Sequence, residues 1–165
     1  MRIYVSIGIR LIIAGLVPLL GSHSSWAGDA WPVPPSHLQL TTPYGNLDVK
    51  TSEYVYESRL QVNGSDTDPR IEGIINITYS FLMPKAQAAL LSINNGSNNC
   101  PITYRWIILQ SESYKISPAF GSCSNLIKVS VKGRSLTVRT PNVQEKDKID
   151  IYVYDGKTIK QYTQP

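Results

Sequence analysis

Histidine is almost missing from this chain: His23 and His37 are the only two in 165 residues. A Ser-His-Asp or Cys-His catalytic set would have to be built on one of them, and no Gly-x-Ser-x-Gly turn presents a nucleophile. Cysteine is as scarce, with Cys100 and Cys123 alone. Two thiols 23 positions apart with so little histidine do not complete a four-ligand zinc site. Helix signals are nearly absent too; only residues 86–89 have a composition that would allow a helical turn. There is no internal repeat and no low-complexity tract.

The first stretch has the layout of a secretory signal peptide. Positive charge stands at Arg2 and Arg10, an apolar run covers residues 11–20, and small and polar residues end at Ser25-Trp26-Ala27. Arg10 and Pro18 interrupt the run, whereas a spanning helix asks for about 20 apolar residues, so a membrane anchor fits less well. We expect a leader over residues 1–27 cleaved after Ala27, with Ala30 the second choice, and no transmembrane segment afterwards. No cysteine follows the run, which excludes a lipid-modified terminus. Of the 16 basic side chains Arg2 and Arg10 leave with the leader, so 14 face 12 acidic ones. That near balance gives no ground for nucleic-acid binding. The expected location is the periplasm or the exterior, where an oxidising environment pairs Cys100 with Cys123. Closing the loop between them would stabilise the fold by about 3 kcal/mol.

Residues 28–37 read as a lead-in arm, because Pro32, Pro34 and Pro35 favour extension and remove donors. Residues 38–165 read as a single β-domain. Residues 53–62 alternate, with Tyr54, Tyr56, Ser58, Leu60 and Val62 on one face and Glu53, Glu57, Arg59 and Gln61 on the other. Residues 71–82 alternate likewise, and an antiparallel hairpin of the two is the simplest topology. Residues 103–110 are apolar on both faces, Tyr104, Trp106 and Ile108 against Ile107 and Leu109, as in a central strand covered on both sides. The stretch 100–123 then makes a disulfide-closed hairpin at the centre of the domain. Around Lys132-Gly133 a hairpin pairs Val129 with Leu136 and Ile127 with Val138. Around Asp155-Gly156 the register stays open between loops of two and three residues. The fold class is all-β: a single antiparallel β-sandwich or a curved, barrel-like sheet of short hairpins.

Candidate contact residues lie on polar loops, since binding groups tend to sit on loops of rigid scaffolds. They are Asn63, Asp66 and Asp68; Asn94, Asn95, Asn98 and Asn99; and Glu112. Asn63, Asp66 and Asp68 place oxygen ligands together, but the twelve-residue calcium-loop pattern is absent and Pro69 follows, so an Asx-rich turn is the reading. Glu53 and Glu57, four apart on a strand, stand about 13 Å apart, too far for a glycosidase pair. Charge is uneven: residues 126–165 carry 8 basic and 4 acidic side chains against 6 and 8 in residues 28–125. Lys128, Lys132, Arg134 and Arg139 are therefore a candidate basic face for an acidic partner. Tyr54 and Tyr56 share one strand face and Tyr152 and Tyr154 another, suited to core packing or to a binding platform for protein or sugar. No catalytic residue, metal or cofactor is expected.

In leader, size and single disulfide the chain is similar to small exported β-proteins of Gram-negative bacteria. The expectation is a non-enzymatic binding protein, an inhibitor or immunity protein against an envelope toxin or hydrolase. Its partner would be another protein of the cell envelope, not nucleic acid. The alternatives are an assembly component of the envelope, a pilus or a secretion system, and a hydrolase with an unrecognised acidic site. Oligomeric state is open.

Overall fold

A computed structural model describes residues 30–54 and 57–165. The expected leader lies outside the described residues, as do Val55 and Tyr56. Trp31–Pro165 form one unit, all-β and joined by one disulfide.

Three antiparallel sheets of four strands each are present, each a meander in chain order. The first runs β1 (Gln39–Thr42), β2 (Gly45–Lys50), β3 (Arg59–Val62) and β4 (Ser65–Asp66). The middle one runs β5 (Ile74–Met83), β6 (Ala86–Asn94), β7 (Thr103–Gln110) and β8 (Ser113–Ile116). The third runs β9 (Lys128–Lys132), β10 (Ser135–Pro141), β11 (Ile149–Tyr154) and β12 (Ile159–Gln164).

The middle sheet feeds two cores. Ile75, Ile77, Ala89, Leu91, Ile107 and Leu109 pack with Leu47, Val49, Leu60 and Val62 of the first sheet. Ala88, Leu90, Tyr104, Trp106 and Ile108 pack with Leu136, Val138, Tyr152 and Tyr154 of the third. Period two sends neighbours such as Leu90 and Leu91 to opposite cores. The expected single sandwich or single curved sheet is thereby corrected. A sheet that is apolar on both faces needs a cover on each, and two further sheets supply them. The two-faced strand at 103–110 is β7, where expected.

Other local expectations are also corrected. The strand expected over 53–62 begins only at Arg59, because β2 ends at Lys50, which pairs with Arg59, and offers nothing further to bond. Before it the Glu57 amide donates to the Tyr54 carbonyl at 2.9 Å, and Tyr54 is 64% exposed, so Glu53 and Glu57 share no strand face. The stretches 53–62 and 71–82 do not form a hairpin: β3 takes β2 and β4 as neighbours and β5 takes β6. Asn63-Gly64 closes a two-residue turn with φ of 51° and 80°, both positive as a type I′ hairpin requires, and creates β4. Residues 86–89 are strand, not helix. The β9–β10 pairing sets Val138 against Val129 and Leu136 against Val131, two residues from the expected register. Gly133 takes φ 60° as first residue of a Gly133-Arg134 turn, the type II′ preference. The loop between β11 and β12 has four residues, setting Tyr154 against Ile159.

Cys100 and Cys123 are bonded, tying the chain before β7 to the segment after β8. The described part of the arm is docked: His37 exchanges backbone hydrogen bonds with Ile77 at 3.1 and 2.9 Å, and the Lys128 ammonium lies 5.0 Å over the Trp31 ring.

Candidate functional site

Strand registers decide which turns meet. Gln87 faces Leu109, so the β5–β6 and β7–β8 turns share one end of the middle sheet. Leu136 faces Tyr154, so the β9–β10 and β11–β12 turns share one end of the third. Where these ends meet, a cleft of about 330 Å³ opens, within the size range of small-ligand sites. Met83, Ala86 and Ile108 give it an apolar floor.

Its rim is cationic. Lys85 is the second residue of the tight Pro84-Lys85 turn and takes φ 60°. Proline presets the first φ of such a turn, and the positive φ at the second makes it type II. Lys115 faces Ile108 across the β7–β8 pair, which puts its side chain on the face turned to the third sheet. Arg134 projects from the β9–β10 turn and Lys157 from the β11–β12 loop. Asp155 shapes that loop: its carboxylate accepts the Lys157 and Thr158 amides at 2.8 Å each and the Thr158 hydroxyl at 3.3 Å. The bonds from Thr158 and Lys157 hold its carboxyl below the usual range, so it is ionised at neutral pH and is the one carboxylate lining the cleft. Lys85, Lys115, Arg134 and Lys157 make no ion pair with any described residue. Four unpaired cations above an apolar floor favour an anionic group joined to an apolar one, and Arg134 adds a planar fork that fits a carboxylate.

The structure brings only Arg134 of the expected basic face into this cleft. Lys128 and Arg139 face each other across β9–β10, and Lys132 continues the outer face beside Ser135. The expected contact loops do not converge. Asn94 ends β6 and residues 95–99 follow it, at the end where Ile93 faces Thr103, while Glu112 sits at the other end, past Gln110. Most of their polar groups hold the fold. The Asn63 carbonyl oxygen accepts the Asn46 amide at 2.9 Å. Asp66 accepts from Gln61 at 2.9 Å and pairs with Arg59 and Arg70 at 3.5 and 4.0 Å. These contacts, the Gln61 bond foremost, lower its carboxyl. The Asp68 amide donates to the Tyr114 hydroxyl at 2.7 Å. Asn94 and Asn95 accept the Gly96 and Ser97 amides at 2.8 and 3.0 Å. Asn98, Asn99 and Glu112 are exposed. Tyr152 and Tyr154 are buried and belong to the core, not to a platform; burial pushes the Tyr104 and Tyr152 phenols up to about 12.

No family model, curated protein or solved structure matches this chain. The chemistry of the cleft is read from its own residues. Among the described residues no three His, Cys, Asp or Glu side chains converge as a metal site, and no helix is long and apolar enough to cross a membrane. Lys85, Lys115 and Lys157 were not legible as a set, because they sit on separate turns and edges. The usable signal was local: a Pro-Lys pair at a strand break, and the period-two match of Lys115 with Ile108 once the β7–β8 turn is placed.

Proposed function

We propose that this chain is an exported, non-enzymatic binding protein that holds an acidic segment of another cell-envelope protein in the cleft of Lys85, Lys115, Arg134 and Lys157. One observation carries the reading: four cations with no ion partner among the described residues line a cleft with an apolar floor. Cations left unpaired beside apolar surface gain from a carboxylate that arrives with an apolar neighbour, and their field speeds its approach. The leader pattern of residues 1–27 supports the export part of this reading, and the Cys100–Cys123 bond agrees with it. The scaffold suits an inhibitor or immunity role: three sheets and a disulfide hold the turns in place, so little ordering cost falls on binding.

The test is capture from envelope extract with residues 28–165, beside a variant carrying Lys115→Glu and Arg134→Glu. An acidic protein retained by the natural chain, released by salt and lost with the variant is the expected result. Equal retention by both chains, or recovery of the chain itself alone, would overturn it.

A further inference from the structure

The edge of the middle sheet leads into this cleft. β5 is an outer strand of its sheet. Its first half is covered, since His37 bonds to Ile77 there. The pairing with β6 then shifts between Ile77 and Tyr79, and Thr78 donates its hydroxyl to the Leu90 carbonyl at 3.0 Å. Past this bulge no described strand pairs with the outer side of residues 79–83. Met83 and Ala86 face each other beside a two-residue turn, so they are the bonded closing pair, and the ladder alternates from there. The amides and carbonyls of Ser80 and Leu82 therefore point outward.

Open edges are normally blunted by lysine, proline or inward charge. Residues 79–83, Tyr-Ser-Phe-Leu-Met, carry none of these, and Leu82 is 73% exposed. A niche bounded by Pro35, His37, Leu40 and Ser80 adjoins one end of this stretch. At the other end Met83, Pro84 and Lys85 are part of the cationic cleft.

We propose that the partner's acidic segment binds in extended form as an added strand on β5, along residues 79–83, and delivers its carboxylates to the cleft. This rests on the acidic-partner reading above and names the form the partner takes. Only a polypeptide satisfies the outward amides and carbonyls of Ser80 and Leu82 as a ladder, and only an acidic one satisfies the cations that follow. A second copy pairing through the same edge brings no carboxylate from residues 79–83 to Lys85.

The probes are fluorescein-labelled peptides of three Thr-Val repeats with three glutamates at either end, and counterparts with lysines in place of the glutamates. Anisotropy measures affinity for the natural chain, Arg134→Glu and Leu82→Pro. Proline is tolerated on an edge strand where the lost N–H faced outward, and circular dichroism checks the fold. Amide exchange at Ser80 and Leu82 of the natural chain gives a readout free of any variant. We expect a glutamate peptide to bind, a loss of about tenfold or more in each variant, and slowed exchange at both amides. Loss with Arg134→Glu, but unchanged binding with Leu82→Pro and unchanged exchange, overturns strand addition and leaves the acidic reading standing. Equal or absent binding of the two peptide types overturns both. A dimer in sedimentation that Leu82→Pro dissolves overturns the proposal in favour of a second copy.

Discussion

The amide of Trp106 donates to the Ser117 hydroxyl at 2.9 Å, and the Ser117 amide donates to the Trp106 carbonyl at 2.8 Å. The exchange compensates a slip in the ladder. Ile107 faces Ile116 on one side of it and Tyr104 faces Phe120 on the other, one residue out of step, so the Trp106 amide has no carbonyl opposite. Both residues are buried, at 0% and 1% exposure. Ser117→Ala removes this acceptor and leaves a buried amide unbonded, which costs about 1–3 kcal/mol. The denaturant midpoint should fall accordingly; an unchanged midpoint would show that the amide finds another acceptor.

The disulfide closes the β7–β8 hairpin and its bulge into one loop. Replacing Cys100 and Cys123 together by serine frees that loop in the unfolded chain, and stability should drop by about 3 kcal/mol. The natural chain under reducing conditions should match the double variant. If neither changes the unfolding midpoint, residual structure already restricts the loop in the unfolded ensemble.

The legible features were those that a period of two encodes. Ile107 and Ile108 are both buried, and their alternation announced a strand covered twice. The same period is blind to which sheet does the covering, so one sandwich was expected where there are two cores. It is equally blind to a slip of two residues, which keeps every face: Val129 moved from Leu136 to Val138 without any side chain changing sides. The Asn63-Gly64 turn was readable but hidden by the polar residues after it. The cleft was out of reach, because Lys85 and Lys157 become neighbours only when two sheets are stacked on Ile108.

Lys85 holds a conformation that suits glycine. Its φ of 60° is costly for a residue with a Cβ, and relief outweighs the added freedom of glycine when unfolded, so Lys85→Gly should stabilise by about 1 kcal/mol. The same change removes a cation from the cleft rim and should weaken binding of an acidic peptide. Opposite signs in thermal unfolding and in anisotropy are the expected pair, as for strain kept at a functional position. A variant that is less stable would show that the Lys85 side chain contributes more to folding than its backbone costs.

Asp155 links the acid limb of stability to the cleft. Its carboxyl is held below the ordinary range by the Thr158 and Lys157 amides. Its contribution is thus full above the unfolded value of about 3.9 and fades as pH falls through the lower folded value. Asp155→Asn keeps an acceptor oxygen for the two amides but does not titrate. The natural chain should therefore melt higher than the variant at pH 7, and the gap should close below about pH 4. Asp66, whose carboxyl is also lowered, is common to both chains and drops out of the difference. A gap that persists to pH 2 would mean that its origin is not the charge. At neutral pH the variant also removes the one carboxylate among Lys85, Lys115, Arg134 and Lys157, so an acidic peptide should bind it more tightly than the natural chain, with the difference shrinking as salt is added.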